Sequence, residues 1–174
     1  LKAGLLDRAE DALNRLEGTP FEAQARLALL AIYERSRDWS HAASIAQKMH
    51  AADQGDFSTR QAHYLCEQAL ALSVQGDRAG AKALLEQAIA AAPDAARARI
   101  ELARLQQLMG QPDAVLATLQ TLGERAPAAL PLAAPLLVEA GNATGRQAEV
   151  HARLVAHYEQ SPSLDVLESI VAME

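Results

Sequence analysis

His63, Cys66 and Glu67 are the residues whose types and spacing come closest to a reactive site, because side chains three and four positions apart on a helix share one face. A thiol, an imidazole and a carboxylate so placed could ligate a metal ion or activate a sulfur nucleophile. Three groups on one helical face do not complete a coordination sphere, however, and a lone cysteine more commonly acts as a small buried hydrophobe. His151 and His157 are six positions apart and fall on different faces, which suits solvated or edge positions. His41 and His50 read as having no carboxylate or cysteine at ligand spacing. Asp7, Glu10 and Asp11 could supply paired carboxylates for acid–base work. At a helix start the same charges stabilise the macrodipole, and that is the role expected of them. No Gly-rich phosphate loop, nucleophile elbow or HExxH occurs, so no catalytic residue, metal or cofactor is expected.

Composition narrows the class of protein that could use such residues. Half of the 174 residues are hydrophobic and only 3% aromatic, a bias toward Ala and Leu that favours helices packed closely through small side chains. Sixteen basic against 22 acidic side chains give a formal charge of −6, which offers no field for a phosphate backbone, so nucleic acid is not an expected partner. The single cysteine excludes an internal disulfide framework and fits a reducing compartment. No apolar run approaches the roughly 20 residues that span a bilayer, so no direct membrane insertion is expected of this segment.

The elements that must position any site are set by a repeat. Gly76 and Gly110 lie 34 residues apart, as do Pro93 and Pro127, while Gly110 to Gly145 and Pro127 to Pro162 each span 35. The extra residue is expected in the turn near Gly141-Asn142-Ala143-Thr144. Within each period a small or β-branched residue precedes a leucine by four positions: Ala81 and Leu85, Val115 and Leu119, Val150 and Leu154. Gln68-Ala69 and Leu102-Ala103 match at 34, placing an alanine where two helix backbones can approach. Ala23 and Ala62 are 39 apart, so residues 52–60 read as a lengthened, loop-like connection. Thr19-Pro20-Phe21-Glu22 and Ser58-Thr59-Arg60-Gln61 read as capped helix starts, with further starts at Asp94 and Pro112. Pro131 and Pro135 should delay or kink the first helix of the fourth unit.

A helix–turn–helix period of about 34 residues, with small residues on each helix and a closing proline, resembles the tetratricopeptide repeat. The first-helix aromatic of that pattern is present as Tyr33 and replaced by Leu72, Gln106 and Ala140. The implied fold is all-α, an α-solenoid of tetratricopeptide-like helical hairpins wound as a right-handed superhelix, in one domain spanning residues 1–174. Its parts are a partial unit at 1–22, units at 23–61, 62–95, 96–129 and 130–164, and a partial helix at 165–174. Residues 1–3 read as the end of one helix and 164–174 as part of another, which implies a piece of a longer protein.

A closer resemblance lies in residues 2–16, in Ile32-Tyr33 with Trp39 and Ala42, and in residues 62–70 (Ala-His-Tyr-Leu-Cys-Glu-Gln-Ala-Leu). These are similar to the lipopolysaccharide assembly protein B family. That resemblance implies a cytoplasmic repeat domain at the bacterial inner membrane, with the membrane anchor and two metal-binding Cys-x-x-Cys knuckles outside this chain. It also implies two partners, a membrane-bound ATP-dependent protease and the lipid A pathway deacetylase that the protease degrades. The alternative is the repeat region of an N-acetylglucosaminyltransferase whose catalytic domain lies elsewhere, and a third reading is a self-associating module.

A scaffold of stacked hairpins binds through the concave face lined by its first helices. By helical spacing from the packing residues, that lining is expected to include Gln24, Leu27, Glu34, His63, Cys66, Leu70, Arg97, Ile100 and Arg104, presented to a client protein or peptide. Arg97 and Arg104 could meet a carboxylate. The Asn and Lys pattern of carboxylate-clamp adaptors is absent, since Asn14 and Asn142 are the only asparagines and neither sits there.

Overall fold

Each hairpin is punctuated by one residue that only glycine adopts cheaply. Gly76, Gly110 and Gly145 have φ of 89°, 67° and 70° and close the first helix of successive hairpins, where a left-handed residue satisfies the last carbonyls. Arg37, at φ 57°, fills the same role one hairpin earlier. The second helix then starts at once. Asp38 and Asp77 accept from the backbone N–H groups of His41 and Gly80 at 3.2 and 2.9 Å, while Pro112 occupies a first turn that needs no N–H.

A computed structural model describes residues 2–174, and among these there are ten α-helices and no strand. They are α1 (Lys2–Asn14), α2 (Glu22–Ser36), α3 (Trp39–Ala51), α4 (Ser58–Val74), α5 (Arg78–Ala91), α6 (Ala96–Leu108), α7 (Pro112–Arg125), α8 (Leu130–Thr144), α9 (Gln147–Gln160) and α10 (Leu164–Val171). Helices α2/α3, α4/α5, α6/α7 and α8/α9 form hairpins, each second helix except α9 packs closely on the following first helix, and α10 rests on α8 and α9. The periodic pairs Ala81 and Leu85, Val115 and Leu119, Val150 and Leu154 are all at most 3% exposed, so the repeat read in sequence is the core read in space. Burial divides into two clusters that meet on α6, with Leu102 and Leu105 in the first and Ile100 and Ala103 in the second.

Several local expectations need correction. The five-residue lengthening before α4 is mostly helix: α4 has 17 residues against 13 for α6, leaving 52–57 as the connection, and the longest connection is instead 15–21. Ser58 does not cap. Asp56 accepts from both its N–H and its hydroxyl, at 3.1 and 2.6 Å, while Glu22 reaches back to the Gly18 N–H at 3.1 Å instead of to Thr19. The extra residue of the fourth unit is likewise helical, since α8 runs through Thr144 and only Gly145 and Arg146 form the turn. Helix α8 begins 34 residues after α6, with no late start. A single 3-10 turn (Pro127–Ala129) precedes it, Pro131 falls in its first turn, and Pro135 is exposed on the outer side, where its missing N–H costs least. Asp7, Glu10 and Asp11 lie mid-helix, because α1 begins at Lys2, and Leu1 lies outside the described residues.

No described helix is long and apolar enough to cross a membrane.

Candidate protein-binding site

First helices α4, α6 and α8 lie side by side, and α2 joins them through long side chains, so their outward residues make a continuous face. Lateral polar pairs cross every step of it. Tyr33 donates to Glu10 at 2.5 Å, and Glu34 accepts from Arg60 at 2.8 Å and from Tyr64. Arg97 donates through Nη2 to Glu67 and through Nη1 to His63 Nδ1, each at 2.5 Å, and Gln107 donates to Glu139 at 2.6 Å. Burial would raise the Glu34 carboxyl, but the bonds from Tyr64 and Arg60 outweigh it and hold the group below its usual range. Burial and the Glu34 bond push the Tyr64 hydroxyl up to about 12. Aromatic rings pack where the α2/α3 hairpin meets α4: Trp39, at the start of α3, stacks on Tyr64 at 6.1 Å, and His63 stands edge-on to both.

The reactive trio therefore separates. His63 and Glu67 meet through Arg97, whereas Cys66 is 1% exposed and burial pushes its thiol up to about 11, the reverse of an activated nucleophile. Among the described residues no group of three or more His, Cys, Asp or Glu could hold a metal ion. Of the residues expected on the binding face, Gln24, Leu27, His63, Leu70 and Arg104 are exposed, and Glu34 and Arg97 partly so. Cys66 and Ile100 are corrected to the core, the latter at 6% exposure. Cys66 lies one turn from Ala62 and Ala69, and Ile100 one turn from Ala96 and Ala103, which puts both on the packing stripe and not beside it. Two of the histidine readings also change. Asp38 Oδ2 lies 2.7 Å from His41 Nδ1 and Asp56 Oδ1 3.8 Å from His50 Nδ1, whereas His157 is partly exposed, an edge position, with its Nε2 buried and without a hydrogen-bond partner.

Arg97 is thus consumed by the lateral clamp, while Arg104 stands over a cavity. A pocket of about 230 Å³ opens between α4 and α6, walled by Leu70, Leu105 and Leu108 and floored by Ala69 with Ala81 and Leu85 of α5. Leu70 and Leu108 are 37% and 65% exposed. Arg104 at the rim donates to Glu101 at 3.1 Å, and of that pair the cation is the outer member, its side chain 55% exposed against 14%. Leu108 was not expected; it sits one turn beyond Arg104, a spacing that could have marked it. A larger groove of about 500 Å³ between α7 and α9 is bridged by Arg153, which crosses over Gly123 to donate to the Leu119 carbonyl at 2.5 Å. What the first-helix face offers chemically is an apolar seat with a charged rim, equipment for binding.

Hairpins of this period, stacked through a stripe of small residues, define a tetratricopeptide-repeat protein. The family model described as Tetratricopeptide repeat matches residues 75–140, and the helical hairpins on either side of that stretch repeat the same architecture. It is also similar to lipopolysaccharide assembly protein B of Escherichia coli strain K12, 35% identical over 86 residues, 49% of this chain and 22% of that protein. The Escherichia coli O157:H7 protein of the same name matches equally, so the chain matches about a fifth of the length of these curated relatives. Among solved structures, MamA superposes with a TM-score of 0.52 at 20% identity, covering 97% of this chain and 84% of that one. A thermophilic repeat protein of Thermus thermophilus gives a TM-score of 0.47 at 18% identity, covering 99% and 92%.

Proposed function

We propose that this chain is a non-catalytic adaptor that regulates lipopolysaccharide synthesis on the cytoplasmic side of the bacterial inner membrane. It holds the lipid A pathway deacetylase, as client, for a membrane-bound ATP-dependent protease. The observation that carries the binding role is the first-helix face, where exposed Leu70 and Leu108 border an open apolar pocket beneath Arg104. Apolar surface of this kind, rimmed by polar groups, is what a protein-interaction site presents. The partial likeness to lipopolysaccharide assembly protein B supports the choice of pathway and partners. Co-precipitation from detergent-solubilised membranes tests it. The tagged chain should retain both deacetylase and protease, and Arg104→Glu should release the deacetylase while the far-ultraviolet circular dichroism stays unchanged. Retention of neither protein by the unmodified chain would end the proposal.

A further inference from the structure

Which feature of a client this face reads is a narrower question, and the pocket's own chemistry bears on it. Its walls and floor come from Leu70, Leu105, Leu108, Ala69, Ala81 and Leu85, with a volume of about 230 Å³, ample for one branched aliphatic side chain. Ala69, Ala81 and Leu85 beneath it are at most 2% exposed, so the floor is close-packed and apolar. At the rim, Arg104 spends one donor on Glu101 and keeps the rest of its planar fork toward solvent. Glu101 is the inner member of that pair, so a group arriving from solvent meets positive charge first. No lysine or asparagine lines the pocket, and a chain terminus, which needs several convergent donors, is poorly served there.

We infer that the pocket between α4 and α6 selects an extended client segment in which an aliphatic residue is followed two positions later by an acidic one, the spacing that puts both side chains on one face. The aliphatic side chain enters against Leu70 and Leu108 and the carboxylate meets Arg104. This rests on the first-helix face being the client-binding face. It adds the determinant: apolar burial supplies affinity, and Arg104 discriminates charge.

The test is an NMR titration of the isotopically labelled full chain with three synthetic dodecapeptides. Each is a Gly/Ser sequence in which Leu and Glu, Ala and Glu, or Leu and Gln flank one central Ser; these are the Leu-Glu, Ala-Glu and Leu-Gln peptides. Leu-Glu should shift the amide signals of Leu70, Leu105 and Leu108. Ala-Glu should bind about tenfold more weakly, the factor expected from losing most of a buried aliphatic side chain, and Leu-Gln about threefold more weakly. Arg104→Gln should erase the difference between Leu-Glu and Leu-Gln. Ala69→Leu, which fills the pocket from its floor, should abolish the shifts, and Leu108→Glu does the same from an exposed position if the first variant unfolds. Equal binding of all three peptides, shifts confined to other helices, or no shifts at all would each overturn the inference. Deacetylase still captured by Ala69→Leu or Leu108→Glu chains would sink this determinant while leaving the adaptor role standing.

Discussion

The junction between the first two hairpins and the junction between the next two solve the same packing problem with different side chains. Where the α2/α3 hairpin meets α4 and the period is stretched, Trp39 of α3 stacks on Tyr64, and Glu34 of α2 pairs with Arg60. At α4–α6, where the period holds at 34, the equivalent positions are the buried alanines Ala69 and Ala103, 1% and 0% exposed, and the pocket opens above Ala69. Large, hydrogen-bonded residues fill the first junction. Small residues leave a cavity at the rim of the second junction, so the open pocket falls where packing is least bulky.

The contrast fails if the aromatic junction tolerates truncation. Tyr64→Ala removes a side chain 1% exposed together with its bond to Glu34, and should cost about 3–5 kcal/mol in denaturant melts. Tyr64→Phe, which removes only the hydroxyl, should cost about 1–2 kcal/mol. A loss for Tyr64→Ala no larger than that for Tyr64→Phe would mean that the ring does not fill the gap. In the alanine junction, Ala103→Leu has no void to enter and should lose about 1–3 kcal/mol by overpacking. Ala69→Leu borders the pocket and should lose less than about 1 kcal/mol; equal losses at the two positions would remove the distinction between them.

Smaller effects sharpen the same comparison. Arg37 holds φ 57° where the later hairpins have glycine, so Arg37→Gly should raise stability by about 1 kcal/mol, and no gain would show that Arg37 is otherwise compensated. The Glu34 carboxyl is held below its ordinary value of 4.5, so its ionised form contributes stability above that pH, and the contribution is lost as pH falls through the lowered value. Glu34→Gln should flatten this part of the acid limb in urea melts followed below pH 4.5. An unchanged limb would place the acid sensitivity elsewhere.

Much of this was legible before any coordinates, for a physical reason. Glycines at positive φ and buried small residues are imposed by backbone geometry, so Gly76, Gly110, Ala81 and Val115 mark the repeat in type as well as in spacing. Insertions were misplaced because a helix can absorb residues that sequence assigns to a loop: the stretch before α4 became a further helical turn. On the first-helix face, helical spacing put Leu70 and Arg104 among exposed residues but could not tell a stripe's centre from its edge, which is why Cys66 and Ile100 proved to be core. Nor could it show that Arg97 is occupied by Glu67, because that contact joins helices 30 residues apart in sequence. The pocket itself depends on the floor supplied by α5, a tertiary feature with no single-helix signature.

Hydrogen–deuterium exchange of the full chain, alone and mixed with the lipid A pathway deacetylase, probes the binding face itself. Exchange should slow in peptides covering α4 and α6, around Leu70, Arg104 and Leu108, and stay unchanged in α7 and α9. Slowing confined to those second helices, or none anywhere, would contradict a client held on the first-helix face.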